Sequence, residues 1–281
     1  ISYVILNLLF INVLHMGVLG MVIAVNIARF LGMICSVIYM INFNHTVNVK
    51  VRDIFKIDFP VQKRILFIGL PFAAEQMFFN GGKILTQIFI LKLGIMAIAI
   101  NAISGSIALL FQIGANALSL SAITVVGQCM GRRDIADAKK FIKSFLGLGT
   151  ISFLIGDIIM LPFFPLLVKL FNPPQEIIHT IFIIVLLTAI VQPLLWSISF
   201  ICPSALRAAG DSKFTSLTSM LSMWLFRVIF GYVLGIVLKF GIIGVWCAML
   251  AEWGVRGLIF MLRFKSNKWC EHDLIGSGKA K

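Results

Sequence analysis

Hydrophobic positions in this chain come in long blocks rather than in an amphipathic alternation. Apolar runs cover about 1–14, 17–42, 65–94, 95–127, 141–171, 176–206, 214–238 and 241–262. Polar or turn-forming stretches separate them. A helix of about 20 residues at 1.5 Å per residue crosses a ~30 Å hydrocarbon core, so the pattern predicts eight membrane-spanning helices, the first of them short. HMGVLG at 15–20 and NPPQE at 172–176 read as turns outside the membrane. GRRDIADAKKFIK at 131–143 places Ile135, Ala138 and Ile142 on one side, which predicts a short amphipathic surface helix. Phe55, Ile57 and Phe59 among charged residues suggest a surface-lying segment that ends near Pro60. Pro193 and Pro203 fall inside the sixth run and predict bends, because proline removes a backbone donor.

The third run carries the most informative polar pattern. Gln76, Asn80, Lys83 and Gln87 stand at i, i+4, i+7 and i+11, within roughly 60° of one another on a helix. Glu75 flanks this stripe. Counted from Arg64, it lies roughly 16 Å along the axis, near the middle of the hydrocarbon core. A carboxylate there is costly unless it meets a partner or a wet cavity. The helix over 65–94 is therefore expected to line an internal cavity that its neighbours enclose. Asn101, Ser104, Gln112, Asn116 and Ser119 form a second stripe on the next helix. The expected cavity lining is Gln76, Asn80, Lys83, Gln87, Gln112, Asn116 and Gln192; interhelical hydrogen bonding is an equal alternative for the Gln and Asn stripes. Glu75 is the leading candidate for binding a coupling cation or proton, and Asp157 the second. Lys83 lies roughly 12 Å further along the same helix, too far to pair with Glu75. Gln112 or Asn116 is the expected partner. Glu252 and Arg256, at i and i+4, are expected to pair, with Arg227 and Arg29 as further buried ion or carbonyl partners.

Composition agrees with the pattern. Hydrophobic residues make up 60% of the 281, against about 45–50% in soluble domains, and the mean hydropathy is +1.03. The net charge of +13 raises the question of nucleic acid, and the placement of the cations answers it. They cluster in 43–64, in 128–143, at Arg207 and Lys213, and in the tail from Arg263. The alternate connections hold Lys92, Lys169 and Lys239. This is the positive-inside asymmetry, which assigns the four basic segments and the C-terminus to the cytoplasm of a multi-pass plasma-membrane protein and leaves nucleic acid little support. The five cysteines are scattered and the four histidines isolated, so neither a disulfide framework nor a metal site is expected. No phosphate-binding GxxxxGK[ST] loop and no catalytic constellation appear, which argues against an ATPase or another enzyme. The chain opens inside an apolar run and is expected to be a fragment.

An internal repeat gives the larger plan. GVLGMVIA at 17–24 matches GIIGVWCA at 241–248 with both glycines and the alanine in register. Six helices separate the equivalent pairs, so the repeat unit is six helices, and an even repeat keeps its orientation in the membrane. The expected architecture is an all-α polytopic bundle, eight helices here out of twelve in two six-helix lobes, with four N-terminal helices missing. Residues 1–42 would close the first lobe, 43–64 would link, 65–265 would form the second lobe, and 266–281 would be a cytoplasmic tail.

GLPFAAEQMFFNGGKILTQIF (69–89), AITVVGQCMGRRD (122–134), PSALRAAGDSKFT (203–215) and GVWCAMLAEWGVRGLIFMLRF (244–264) resemble the MATE family of multidrug and toxic-compound extrusion transporters. The resemblance runs along the whole chain and maps its spans onto helices five to twelve. It implies a central cavity and export of organic cations or drugs against an inward Na⁺ or H⁺ flux, with no other cofactor. In some branches a key acid follows the proline of helix seven by eight residues. Phe79 holds that place here, and Glu75 lies one turn earlier. Those branches also use an acid in helix ten, where 176–206 has none after Glu176. The coupling ion stays open between Na⁺ and H⁺. A lipid-linked oligosaccharide flippase of the same wider superfamily, which would want a larger cationic cavity, and a passive channel are the alternatives.

Overall fold

The computed structural model describes residues 2–42 and 58–271, so most of the expected linker and the end of the tail lie outside the described residues. The helices are α1 (Ser2–Val13), α2 (Gly17–Asn42), α3 (Phe59–Lys92), α4 (Ile95–Phe111), α5 (Ile113–Gly131), α6 (Ile135–Met160), α7 (Phe164–Phe171), α8 (Gln175–Ala208), α9 (Ser212–Val237) and α10 (Gly241–Lys265). Six of them, α2, α5, α6, α8, α9 and α10, are long and apolar enough to cross a membrane. Helix α3 is longer than any of these but for α8, yet its polar stripe keeps it out of that set. The fold is the expected all-α membrane bundle; against eight expected spans, six helices among the described residues are long and apolar enough to cross, and α1 and α4 are shorter apolar helices.

Several element boundaries differ from expectation for local reasons. The run 95–127 is interrupted at Gln112, whose amide is shared between the carbonyls of Ala108 and Leu109. The amphipathic stretch 131–143 is not a separate helix. Asp134 caps α6 by accepting a hydrogen bond from the Asp137 amide at 3.0 Å, and the helix then runs on to Met160. Ala138 and Ile142 are buried, whereas Ile135 is exposed. Pro60 lies in the first turn of α3, where its missing donor costs nothing. In α8 the two prolines bracket a π-helical stretch, Gln192–Ile201. Each removes one donor from the i→i−4 ladder, and the wider π spacing takes up the mismatch.

The chain divides into two compact units, Ile1–Ile65 and Leu66–Lys281. In the larger unit the core is built on α8 and α10, not on α3. Ile181, Ile184 and Trp196 of α8 meet Val245, Trp246 and Trp253 of α10 in one cluster; Cys202, Ala205 and Leu206 meet Phe260 and Phe264 in another. Small residues allow the close approach. A Cβ on Gly149 of α6 would lie 2.8 Å from the Ser197 hydroxyl, and one on Gly235 of α9 would lie 2.6 Å from a Val245 methyl. Helix α3 contributes little to this core. Of its side chains that are described, Glu75 and Ile90 are buried, along with Gly82.

The repeat is visible atom by atom inside each unit. In the smaller one a π turn at Leu9–Val13 ends with Leu14 donating to the Leu9 carbonyl at 3.0 Å and Met16 to Phe10 at 3.0 Å. In the larger one the π turn Val233–Val237 ends with Leu238 donating to Val233 at 2.9 Å and Phe240 to Leu234 at 3.1 Å. His15 and Gly17 take left-handed φ values of 49° and 54°, and Lys239 and Gly241 take 57° and 61°. Gly20 and Gly244 are then each pressed against the preceding turn, leaving no room for a Cβ.

Candidate functional site

Four buried or half-buried charge systems line the inner face of the larger unit. Glu75 of α3 accepts a hydrogen bond from the Arg207 guanidinium at 2.7 Å and one from the Ser216 hydroxyl at 2.7 Å. Arg207 is the penultimate residue of α8, and Ser216 lies in the second turn of α9. Glu75 is therefore held beside the α8–α9 turn, and its partners are Arg207 and Ser216 rather than the expected Gln112 or Asn116. Counting Arg207 as a loop residue hid it, although its motif PSALRAAGD was conspicuous. Asp211, in the same turn, pairs with Arg263 of α10 at 2.6 Å.

The middle of the bundle carries cations. Glu252 of α10 is fully buried between Arg227 of α9 at 2.6 Å and Arg256 one turn along at 2.9 Å. The contacts are close but out of line for hydrogen bonds, so the attraction is mainly that of charges. Nε and Nη2 of Arg256 have no hydrogen-bond acceptor among the described residues. Its guanidinium lies 4.2 Å from the centre of the Phe200 ring. Lys83 forms no ion pair among the described residues. Its ammonium stands 5.1 Å from the centre of the Phe79 ring, and the Arg227 guanidinium approaches the same ring at 5.8 Å. Aromatic faces thus stand in for missing acids.

Three cavities adjoin these groups. One of about 450 Å³ is lined by Lys83, Gln112, Asn116, Trp196, Arg227 and Trp253, among others. A second of about 270 Å³ includes Lys83, Gln87, Asn101 and Arg227, and a third of about 230 Å³ includes Glu75, Gln76, Asn116, Arg207 and Arg256. Of the expected lining, Gln76, Lys83, Gln87, Gln112 and Asn116 are brought together here. Asn80 is exposed and lies on none of these three. Gln192 does not line them either. It is fully buried at the start of the π stretch, with both amide atoms unpaired among the described residues. Asp157 is also buried and apart from the cavities, with one carboxylate oxygen lacking a hydrogen-bond partner. Arg29 is exposed rather than buried.

Long apolar helices around charged cavities define a polytopic membrane protein. The MatE family profile matches residues 71–233, more than half of the chain, and the chain belongs to that family. It is 28% identical to the uncharacterized transporter YisQ of Bacillus subtilis strain 168 over 92% of its length, and 25% identical to the probable multidrug resistance protein NorM of Thermotoga maritima over 91%. It spans 56% and 54% of those two relatives. Among solved structures it is similar to MATE in the straight conformation, with TM-score 0.80 and 17% identity over 95% of this chain and 60% of that one. An outward-facing MATE-family multidrug transporter matches with TM-score 0.82, 17% identity and coverages of 95% and 59%.

Proposed function

We propose that this chain forms part of a secondary active exporter that moves small organic molecules across the plasma membrane by alternating access, in exchange for Na⁺ or H⁺. The observation that carries the reading is the set of cavities walled by the polar stripe of α3 within the family-matched residues. A volume of about 450 Å³ lies in the ~300–1,000 Å³ range of small-molecule sites. That size favours drug-like cargo over the larger headgroup of a lipid-linked oligosaccharide. NorM, a relative by sequence, is a probable multidrug resistance protein. Alternating access needs a second lobe working against this one, and the relatives are nearly twice as long, so the exporter includes helices beyond these.

Two acids are candidates for coupling. Glu75 must shed Arg207 and Ser216 before it can take an exchangeable ion. Asp157 has no ion-pair partner among the described residues and one open oxygen, so its geometry suits proton exchange better. The test is dye efflux from vesicles holding the full-length transporter under an imposed Na⁺ or H⁺ gradient. Saturable, gradient-driven efflux that is lost in Asp157→Asn is the expected result. Linear, gradient-independent leakage would make the protein a channel. Unchanged coupling in both Asp157→Asn and Glu75→Gln would remove both acids from the mechanism.

A further inference from the structure

Among the described residues of the larger unit, the acids and bases around the central cavity do not balance. Lys83, Arg227 and Arg256 face one carboxylate, Glu252, and Glu75 is already matched by Arg207. Two positive charges are in excess there among the described residues. Lys83 has no acidic partner among the described residues. Arg256, 2% exposed, borders only the adjoining cavity of about 230 Å³, and two of its guanidinium nitrogens are buried without acceptors among the described residues. Buried donors of this kind are costly when left empty. The walls between the cations are aromatic. Phe79, Trp196, Phe200 and Trp253 line the cavity of about 450 Å³, and Trp246 borders it with Arg227.

We infer that this cavity is a binding site for amphipathic organic anions, compounds with a carboxylate, phosphate or sulfonate on an aromatic body. Lys83 and Arg227, the two cations on its wall, receive the anionic group, and the aromatic walls take the body. Guanidinium suits planar oxyanions because its donors form a fixed fork. An organic cation meets the opposite situation here. The two acids near the cavity are both held by arginines, and an entering cation must compete with them. The resemblance to drug exporters implies organic cations; the charge balance of this unit points to the other sign. This inference rests on the cavity being the cargo site of the proposed exporter.

The test uses the full chain in nanodiscs of zwitterionic phosphatidylcholine. Two probes of equal size are compared, 1-pyrenebutyrate and its trimethylammonium counterpart, by quenching of tryptophan fluorescence. The expected result is at least tenfold tighter binding of the carboxylate. Lys83→Gln should weaken the carboxylate at least fivefold and leave the cation within twofold, and Lys83→Glu should reverse the preference. Lys83 is exposed in the cavity and supports no ion pair among the described residues, so these variants leave the buried pairs intact. Equal or tighter binding of the cation, or indifference to Lys83→Gln, overturns the inference. Phosphatidylglycerol discs separate the sources of the anion. Unchanged probe binding assigns the site to soluble anions, and displacement assigns it to an anionic lipid headgroup. Anion binding without gradient-driven movement would sink the exporter reading alone. Gradient-driven efflux of cations with no preference for the carboxylate probe would sink this inference alone.

Discussion

Glu75, Glu252 and Asp157 are three buried carboxylates in three electrostatic situations, and each makes a different demand on the fold. Glu75 is matched one to one, Glu252 is outnumbered by two arginines, and Asp157 has no ion pair among the described residues. The matched pair gives the cleanest stability prediction. Arg207→Met strands a carboxylate that is 4% exposed, and breaking such a pair from one side costs about 3–5 kcal/mol. Glu75→Gln leaves Arg207, which is 24% exposed, in a position to find water, and should cost less. The double variant Glu75→Leu/Arg207→Met should recover most of the loss. Thermal unfolding of the purified chain in detergent measures all three. If Arg207→Met unfolds no earlier than the parent, the pair does not hold α3 to the α8–α9 turn. The acid was legible in the sequence because a carboxylate in an apolar run is conspicuous. Its partner was not, since 132 positions separate the two and periodicity carries no information about contacts between helices.

Elements were legible where a strong local signal fixed them. The prolines of α8 mark its π stretch to within two residues at either end, and the paired glycines mark the α1–α2 and α9–α10 turns. What periodicity could not show was which helix is central. Helix α3 stood out by its polar stripe, but it is α8 and α10 that share the core, and apolar side chains that face the core read the same in sequence as those on the exposed faces of the same helices. The repeated turn invites a direct test. A Cβ on Gly244 would lie 2.8 Å from the Leu234 carbonyl oxygen and 2.8 Å from the Phe240 Cβ, both rigid neighbours. Gly244→Ala should cost about 1–3 kcal/mol by overpacking. Gly20, pressed at 3.0–3.1 Å against Phe10 and Met16, should behave alike in the smaller unit. Gly147→Ala, where nothing lies within 4 Å, is the control and should be neutral. Size-exclusion recovery after heating ranks the three. A neutral Gly244→Ala beside a damaging Gly147→Ala would remove the close-approach argument.

At the scale of the whole molecule, sidedness follows from how many times the chain crosses between its charged connections. Helix α6 has 26 residues, about 39 Å, enough for one crossing, whereas α7 with 8 residues reaches about 12 Å and cannot cross. Together they move the chain from Lys140 to Lys169 across the membrane once, and α8 returns it to Lys213. The count turns on the break at Gln112. If α4 and α5 were separate crossings, Lys92 and Lys140 would share a side. Helix α4 has 17 residues, about 25 Å, short of a ~30 Å core, and its break retains a right-handed helical backbone. We expect the two to make one crossing, and the cationic rule then predicts Lys140 and Lys213 in the cytoplasm with Lys92, Lys169 and Lys239 outside. All five side chains are exposed and suit cysteine substitution, once the native exposed Cys35 is replaced. In intact cells a membrane-impermeant maleimide should label positions 92, 169 and 239 and spare 140 and 213. Labelling of 92 and 140 together would show that Gln112 is a turn rather than a kink. The reverse of the whole pattern would keep every crossing and invert the protein, which would place the cationic connections outside against the positive-inside rule.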